Sequence, residues 1–570
     1  MLGGIKIRKD NFANMKYWGI DPKLLKTLPA ISSVEKTLIF ILGCLLFFPD
    51  RAFAVPRSHL QKSIAQTPLS PDVPGTIVLS RFNVVNNRII PQPELDRALE
   101  PYLFRPLYFT ELLEIERVIT QLCIDRGYFT SGATIPPQTI GDRTIKIKIV
   151  EGTIGDIEIL GLKKLRPEYI RSRIAIASQA PLNQDKLLRA LQLLRLNPLI
   201  ENISAELSQG IEPGESFLKL NIEEADSSDL RLRVDNDITT SVGSLRARIS
   251  FDEGNLLGFG DTFRVSYVQS EGSESLERIE YVAPVGARGT SIGISHNRSE
   301  NQIILEPFPI LDLESKSLGY GAMLIQNVVD TPTQNLVAAI GFTHQNTQFS
   351  LLNRGFSDLA RGLDNDGRSI ISTLRFIQEY SDRTTDRVFS IASQVAIGID
   401  AFDSTVNDNG SPDSKYLLWQ GQARYLKSVS DKTNLSLRGT IQLANEPLFA
   451  QEQFLAGGVN TVRGYSRDII QGDNGLSFSV ELNHTVFQIP KWNSRIEISP
   501  FFDFARIWNT DDFRLETNTL ASVGIAARFS VEENVTASLG IGIPLIDAKL
   551  PEGNSLQDDG IHFSLSVEPF

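Results

Sequence analysis

The stretch NLSLRGTIQL, Asn434 to Leu443, alternates without a break. Leu435, Leu437, Gly439, Ile441 and Leu443 fall on one face, and Asn434, Ser436, Arg438, Thr440 and Gln442 on the other. A period of two reads as a strand, because successive side chains leave a β-strand on opposite sides. One face carries nothing polar. The other carries charge, hydroxyl and amide. Such a strand divides a nonpolar medium from a wet one.

The same pattern runs from about Ser227 to Phe570. Leu245, Ala247 and Ile249 interleave with Arg246, Arg248 and Ser250. Phe263, Val265 and Tyr267 interleave with Arg264 and Ser266. Phe478, Val480 and Leu482 interleave with Ser477, Ser479, Glu481 and Asn483, and Ile496, Ile498, Phe502 and Phe504 with Glu497, Ser499 and Asp503. Antiparallel sheets with one wet face would alternate too. The length of the region and the persistence of the pattern favour a closed sheet. In a bilayer every backbone polar group must be paired internally, so a sheet there has to close. The region divides into sixteen strands at about 21 residues per strand and connection, and fourteen fit nearly as well. Arg246, Arg248, Arg264, Arg438 and Arg495 then face a wet lumen. Gly 41, Pro 28 and Phe 31 suit many short strands with turns. Lys+Arg 56 against Asp+Glu 68 gives a net charge of -12, which argues against a nucleic-acid binder.

Upstream the texture differs. Residues 1–54 read as a secretory leader. Lys16, Lys23, Lys26 and Lys36 precede an apolar run from Leu38 to Phe48, and Ala52-Phe53-Ala54 forms a small-x-small cleavage site. The run is too short for a membrane helix, which takes about 20 residues. Initiation at Met15 would give the leader an ordinary length. Cys44 sits in this run as Leu42-Gly43-Cys44, with little apolar chain before it for a lipoprotein site. Cleavage after Ala54 leaves Cys123 as the one cysteine, so neither an internal disulfide nor a thiolate metal cluster is expected. Its neighbours Ile119 and Leu122 read it as core. Residues 55–75 hold Pro56, Pro68, Pro71 and Pro74 and read as a linker.

Two units of one pattern follow, 76–152 and 153–225. In the first, a strand over Thr76–Val85 precedes helices over Glu94–Leu103 and Glu111–Arg126. The second helix shows Leu112, Ile115, Ile119 and Leu122 on one face and stops at Gly127. A short strand near Ala133–Ile135 leads to a closing strand with Ile145, Ile147 and Ile149 against Lys146 and Lys148. The second unit opens with Ile154, Ile157 and Ile159. Helices over Pro167–Ala177 and Gln184–Arg195 follow, then strands near Ile203–Leu207 and Phe217–Ile222. The order strand, helix, helix, strand, strand occurs twice, so small α/β modules stand in series. The fold class expected is a transmembrane antiparallel β-barrel preceded by two small α/β domains.

Several segments carry a family resemblance. They are DRGYFTSGATIPPQTIGDRTIKIKIVEG (125–152), NLLGFGD (255–261), YVAPVGARGT (281–290), FLAGGVNTVRGY (454–465) and FFDFA (501–505). With them the chain resembles the Omp85 superfamily, and more closely the TpsB transporters of two-partner secretion, of the haemolysin- and haemagglutinin-secreting type. The resemblance implies two POTRA domains, at 76–152 and 153–225. It implies a sixteen-stranded outer-membrane barrel at 226–570 and a loop around 454–470 folded into the lumen. It makes Val462, Arg463, Gly464 and Tyr465 the tip of that loop, the family's VRGY/F motif. It makes Phe501, Asp503 and Ala505 the wall motif F-x-D-x-G, with alanine where glycine is usual. Asp503 shares a strand face with Glu497 and Ser499 and so points inward. An inward carboxylate can meet the five-donor fork of Arg463 bidentately. The plainer reading of the same residues is a turn glycine at Gly464 and a solvated Asp503.

The resemblance also implies partners: an unfolded secreted protein of the TpsA type, outer-membrane lipids, and the barrel assembly machinery during biogenesis. The modules would lie in the periplasm and offer a free strand edge, near Ile200–Leu207 or Phe217–Glu223, to which an extended client adds a strand. Two other readings compete. A barrel-insertion factor like BamA or Toc75 usually carries more than two such modules, and a passive solute channel would not need residues 76–225. Phe570 supplies a terminal aromatic, but Ile561, Phe563, Leu565 and Val567 fall on the opposite parity, which a bulge would correct. His59, His296, His344, His484 and His562 are scattered. No metal spacing, phosphate loop or nucleophile elbow stands out, so neither a cofactor nor an enzyme is expected.

Overall fold

The computed structural model describes residues 75–569, apart from 408–409, 514, 533 and 549–554. The expected leader, nearly all of the expected linker and Phe570 lie outside the described residues.

The first upstream unit folds around helices Gln92–Leu99 (α1) and Phe109–Asp125 (α2). Glu111 caps α2 by accepting the Tyr108 N–H at 2.8 Å. Gly127, at φ 81°, lets the chain leave the helix. Strand Arg81–Val85 pairs in parallel with Thr144–Val150, whose other edge takes Gly132–Thr134. Ile145, Ile147 and Ile149 pack with Ile115, Ile119 and Cys123 in one core. Two details differ from the sequence reading. The helix expected to reach Leu103 turns into a 3-10 segment at Glu100–Tyr102, because Pro101 has no N–H to continue the α ladder. The strand expected over Thr76–Val85 is broken. Thr76–Val78 pairs instead with Pro106–Tyr108 in a separate small sheet.

The second unit repeats the plan with helices Pro167–Ala177 (α3) and Gln184–Arg195 (α4). Asn183 caps α4 by accepting the Lys186 N–H at 3.1 Å. Strand Glu215–Glu224 is central. It pairs in parallel with Thr153–Leu160 and antiparallel with Ile200–Gln209. Phe217–Glu223 is therefore not a free edge, since both of its hydrogen-bonding sides are filled. Ile200–Gln209 is one.

The remainder is a closed barrel of sixteen antiparallel strands. Numbered along the barrel they are β1 Ser228–Asp235, β2 Arg246–Glu253, β3 Thr262–Gln269, β4 Ser273–Pro284, β5 Thr290–Gln302 and β6 Leu313–Asp330. There follow β7 Gln334–Leu351, β8 Arg368–Arg383, β9 Arg387–Ile399, β10 Leu417–Ser430 and β11 Thr433–Ala444. The last are β12 Asn474–Ile489, β13 Ser494–Trp508, β14 Thr519–Val531, β15 Val535–Pro544 and β16 Ile561–Val567. The strand β16 pairs with β1 and closes the cylinder. The ladder that places β16 shows no bulge.

The alternation sorts as the medium requires. Ile292, Ile340, Phe376, Ile397, Trp419, Phe478, Phe529 and Ile541 stand exposed on the outer face. Ser372, Gln442, Ser479, Asp503 and Ser522 are buried within. The lumen arginines are tied to carboxylates: Arg246 to Asp235 at 2.9 Å, Arg248 to Glu277 at 2.7 Å, Arg264 to Glu280 at 3.0 Å and Arg495 to Glu497 at 3.6 Å. The β2–β3 turn, which holds NLLGFGD, seats the second module. Its Gly258 carbonyl accepts the Arg166 N–H at 2.9 Å, and its Phe259 ring lies 3.8 Å beneath the Arg166 guanidinium.

Candidate functional site

Between β11 and β12 the chain does not make a tight hairpin. It turns back into the lumen, stiffened by a short sheet in which Phe454–Ala456 pairs with Ile470–Gly472. Gly457 and Gly458 take φ of 116° and 83°, backbone that side chains disfavour, and turn the chain toward its tip.

The wall opposite the tip is built by register. In the β12–β13 ladder Ser479 faces Asp503 and Glu481 faces Phe501. All four share the inward parity. Arg463 enters this square. Its Nε donates to one Asp503 oxygen at 2.7 Å and its Nη2 to the other at 2.9 Å, while its own N–H donates to Asp503 at 3.1 Å. Nη1 donates to Glu481. Ser479 donates to Asp503 at 2.7 Å, so that carboxylate is held from several directions. The guanidinium plane lies 3.5 Å from the centre of the Phe501 ring, which adds cation–π attraction. Gly524 leaves room for that ring, since a Cβ there would fall 2.3 Å from it. Arg438, opposite Ser479 across β11–β12, brings a second positive charge to the two carboxylates. Two arginines thus stand against Asp503 and Glu481.

The other expected residues join the same assembly. Val462 is fully buried and Tyr465 nearly so, in one apolar cluster with Phe454, Ile470, Ala505, Ile507 and Leu520. The Ala505 methyl is fully covered there, so alanine fits where the family motif has glycine. The Tyr465 hydroxyl lies 2.7 Å from the Ile546 carbonyl and 2.9 Å from the Ala521 carbonyl, joining the β14 end to the chain beyond β15. Gly464 takes φ 92° and presses on the wall. A Cβ on Gly464 would fall 2.8 Å from the Gly542 backbone.

The sequence reading missed Glu481, Ser479 and the stacking of Phe501. It also missed His562, whose Nε2 accepts the Gly464 N–H at 3.1 Å. Glu481 and Ser479 were visible as polar members of an alternating strand, but nothing local to them points at Arg463. Among the described residues no group of three His, Cys, Asp or Glu side chains is arranged to hold a metal ion.

The comparisons agree with this architecture. Residues 214–529 match the family described as haemolysin secretion/activation protein ShlB/FhaC/HecB, and residues 77–152 match the POTRA domain, ShlB-type. The chain is 22% identical over 483 residues to the heme/hemopexin transporter protein HuxB of Haemophilus influenzae, covering 81% of this chain and 80% of that one. It is 24% identical over 514 residues to the outer membrane transporter CdiB of Escherichia coli O6:K15:H31, covering 86% and 84%. The solved structure of CdiB from Escherichia coli shares the fold, with a TM-score of 0.65 at 18% identity over 88% of this chain and 93% of that one. A sixteen-stranded barrel, POTRA modules before it and a family match across more than half its length lead to one assignment: this chain belongs to the haemolysin secretion/activation family ShlB/FhaC/HecB.

Proposed function

We propose that this protein exports an unfolded partner protein through its barrel, with residues 76–152 and 153–225 as the capturing modules and the loop carrying Arg463 as the gate. The protein is an outer-membrane transporter with its POTRA modules in the periplasm. Its family is one of transporters, not an enzyme class. The observation that carries the export reading is this membership, joined to a closed barrel whose β2–β3 turn seats a module with a free strand edge.

Among the described residues the strand Ile200–Gln209 lies at the edge of its sheet, and the backbone groups of its outer side face no further strand. An extended client satisfies them by adding a strand, so affinity comes from main-chain bonds and tolerates many sequences. The client then passes to the barrel mouth. Direction comes from folding of the client outside or from biased diffusion along the pore. The Arg463 anchor keeps the loop seated until a client displaces it. The partner is a large secreted protein of the TpsA type. Lipids meet the apolar outer face, and the barrel assembly machinery inserts the strands during biogenesis.

Deletion of residues 76–152 tests the capture role. The barrel should still migrate as a heat-modifiable folded species in the outer membrane, while secretion of its partner protein should stop. Undiminished secretion by the shortened protein would sink the capture role.

A further inference from the structure

The lumen loop reaches beyond β12 and β13. Past Tyr465 it arrives where β16 closes on β1. The backbone ladder at that seam runs from Ser564 opposite Asp235 to Val567 opposite Leu232, and one further backbone bond, from the Asn236 N–H to the Phe563 carbonyl at 3.4 Å, extends it. By contrast, β1 meets β2 along its whole length, from Ser228 to Asp235. A short ladder is the easiest part of a barrel to open, and an open edge in lipid leaves backbone groups unpaired.

Side chains continue the seam where the ladder stops. Asn236, nearly fully buried, accepts the Phe563 N–H on Oδ1 at 2.9 Å and donates from Nδ2 to the Ile561 carbonyl at 2.8 Å. Its amide stands in for a strand residue. Next comes Gln557, fully buried in the chain that leads into β16. Its Nε2 donates to the Ile238 carbonyl at 2.7 Å, on the β1 side. Its Oε1 accepts the Arg467 N–H at 2.9 Å, from the loop. Arg467 Nη1 in turn donates to the Asp237 carbonyl at 2.8 Å and lies 3.4 Å from the Asp237 carboxylate. Ser466 donates to Asp558 at 2.5 Å, and Gly464 donates to His562 on β16. Loop residues 464–467 therefore bond to both sides of the seam at once.

We propose that the lumen loop is the lock of the closing seam. Arg467 and Gln557 bind the extracellular end of β1 to the chain entering β16, so withdrawal of the loop loosens the seam. The physical reason is the burial of Gln557. With the loop gone, its Oε1 loses its donor in a dry site, and a buried polar group without a partner is costly. The coupling runs both ways, because a seam that parts removes the acceptors that hold Arg467. The two arginines act at different places: Arg463 ties the tip to β12 and β13, and Arg467 ties its base to the seam. The inference concerns the barrel alone and needs no client.

Hydrogen–deuterium exchange on the purified full-length protein tests it. Heat-modifiable migration identifies folded barrels. Arg467→Ala keeps the backbone N–H to Gln557 but loses the guanidinium contacts to the Asp237 carbonyl and carboxylate. In this variant, peptides covering 232–238 and 561–567 should exchange about ten-fold faster, the effect of losing one or two hydrogen bonds. Peptides from β8 and β9 should not change. Gln557→Glu is isosteric and carries the test if Arg467→Ala does not fold. It keeps the acceptor for Arg467 and loses the donor to Ile238. Its seam peptides should exchange faster while those covering 458–470 stay protected. Native exchange at the seam in the folded variants overturns the lock. A uniform rise in every strand overturns it equally, since that reports general destabilisation.

Discussion

Arg463 stands between a ring and two carboxylates, so its loss does more than remove one contact. Arg463→Ala leaves Asp503 buried in the wall without its fork. A hydrogen bond to a charged group is worth about 1.5 to 3 kcal/mol, and breaking a buried pair costs about 3 to 5 kcal/mol. The lumen is partly wet, which favours the lower range. Arg463→Lys keeps the charge but loses both the bidentate geometry and the flat stacking on Phe501, so it should fall between alanine and wild type. A double-mutant cycle with Arg463→Ala, Asp503→Ala and both together, read by client secretion and by trypsin cleavage of the loop, measures the pair. The double variant should be no worse than the more damaged single; additive losses would mean that the two residues act apart. Cys123 gives a second test. It is fully buried, and burial pushes its thiol up to about 11. The folded state thus favours the protonated thiol. That stability is complete below the ordinary thiol range and is lost as pH rises toward 11. Iodoacetamide at pH 8.5 should leave the native protein unlabelled and label it after unfolding in urea. Quick labelling of the native protein would contradict this core.

At the scale of elements, the seating of the lumen loop depends on two glycines, Gly464 in the loop and Gly542 in β15. A Cβ on Gly542 of β15 would fall 2.5 Å from the Gly464 nitrogen. Gly542→Ala should therefore lift the tip off the wall, at the roughly 1 to 3 kcal/mol typical of overpacking. The barrel should still assemble. Trypsin should then cut at Arg463 or Arg467, and full protection of the loop in this variant would show that the tip tolerates the methyl. Elements were unevenly legible beforehand. The helices Pro167–Ala177 and Gln184–Arg195 were plain in the sequence, because their starts are marked by Pro167 and Asn183 and their apolar residues keep one face. The Thr76–Val85 break was not, because Thr76–Val78 leaves its neighbours to pair with Pro106–Tyr108, a partner that no local pattern announces. The same blindness offered Phe217–Glu223 as an edge. An apolar strand looks alike in the middle or at the rim of a sheet until its neighbours are known.

For the whole molecule, the orientation predicts a protection pattern. The second module meets the β2–β3 turn, so both modules lie on the periplasmic side and the lumen loop enters from outside. Protease added to intact cells should spare residues 76–225, and permeabilised cells should lose them. Digestion of the modules from outside would reverse the orientation. The sequence alone determined that residues from about 227 onward form strands, that each has one apolar face, that Asp503 points inward and that two similar modules come first. These are local facts. They follow from a period of two, a period near 3.6 and a few capping residues, and each is set by residues close in the chain. Tertiary structure decided the rest. It chose sixteen strands where fourteen fitted nearly as well, and it set Glu481 opposite Phe501 so that Arg463 finds two carboxylates and a ring. It also brought Arg467, Asp237 and Gln557 together at the seam. Alternation cannot choose among such pairings, because sliding a strand by two residues keeps every side chain on its face while changing every neighbour.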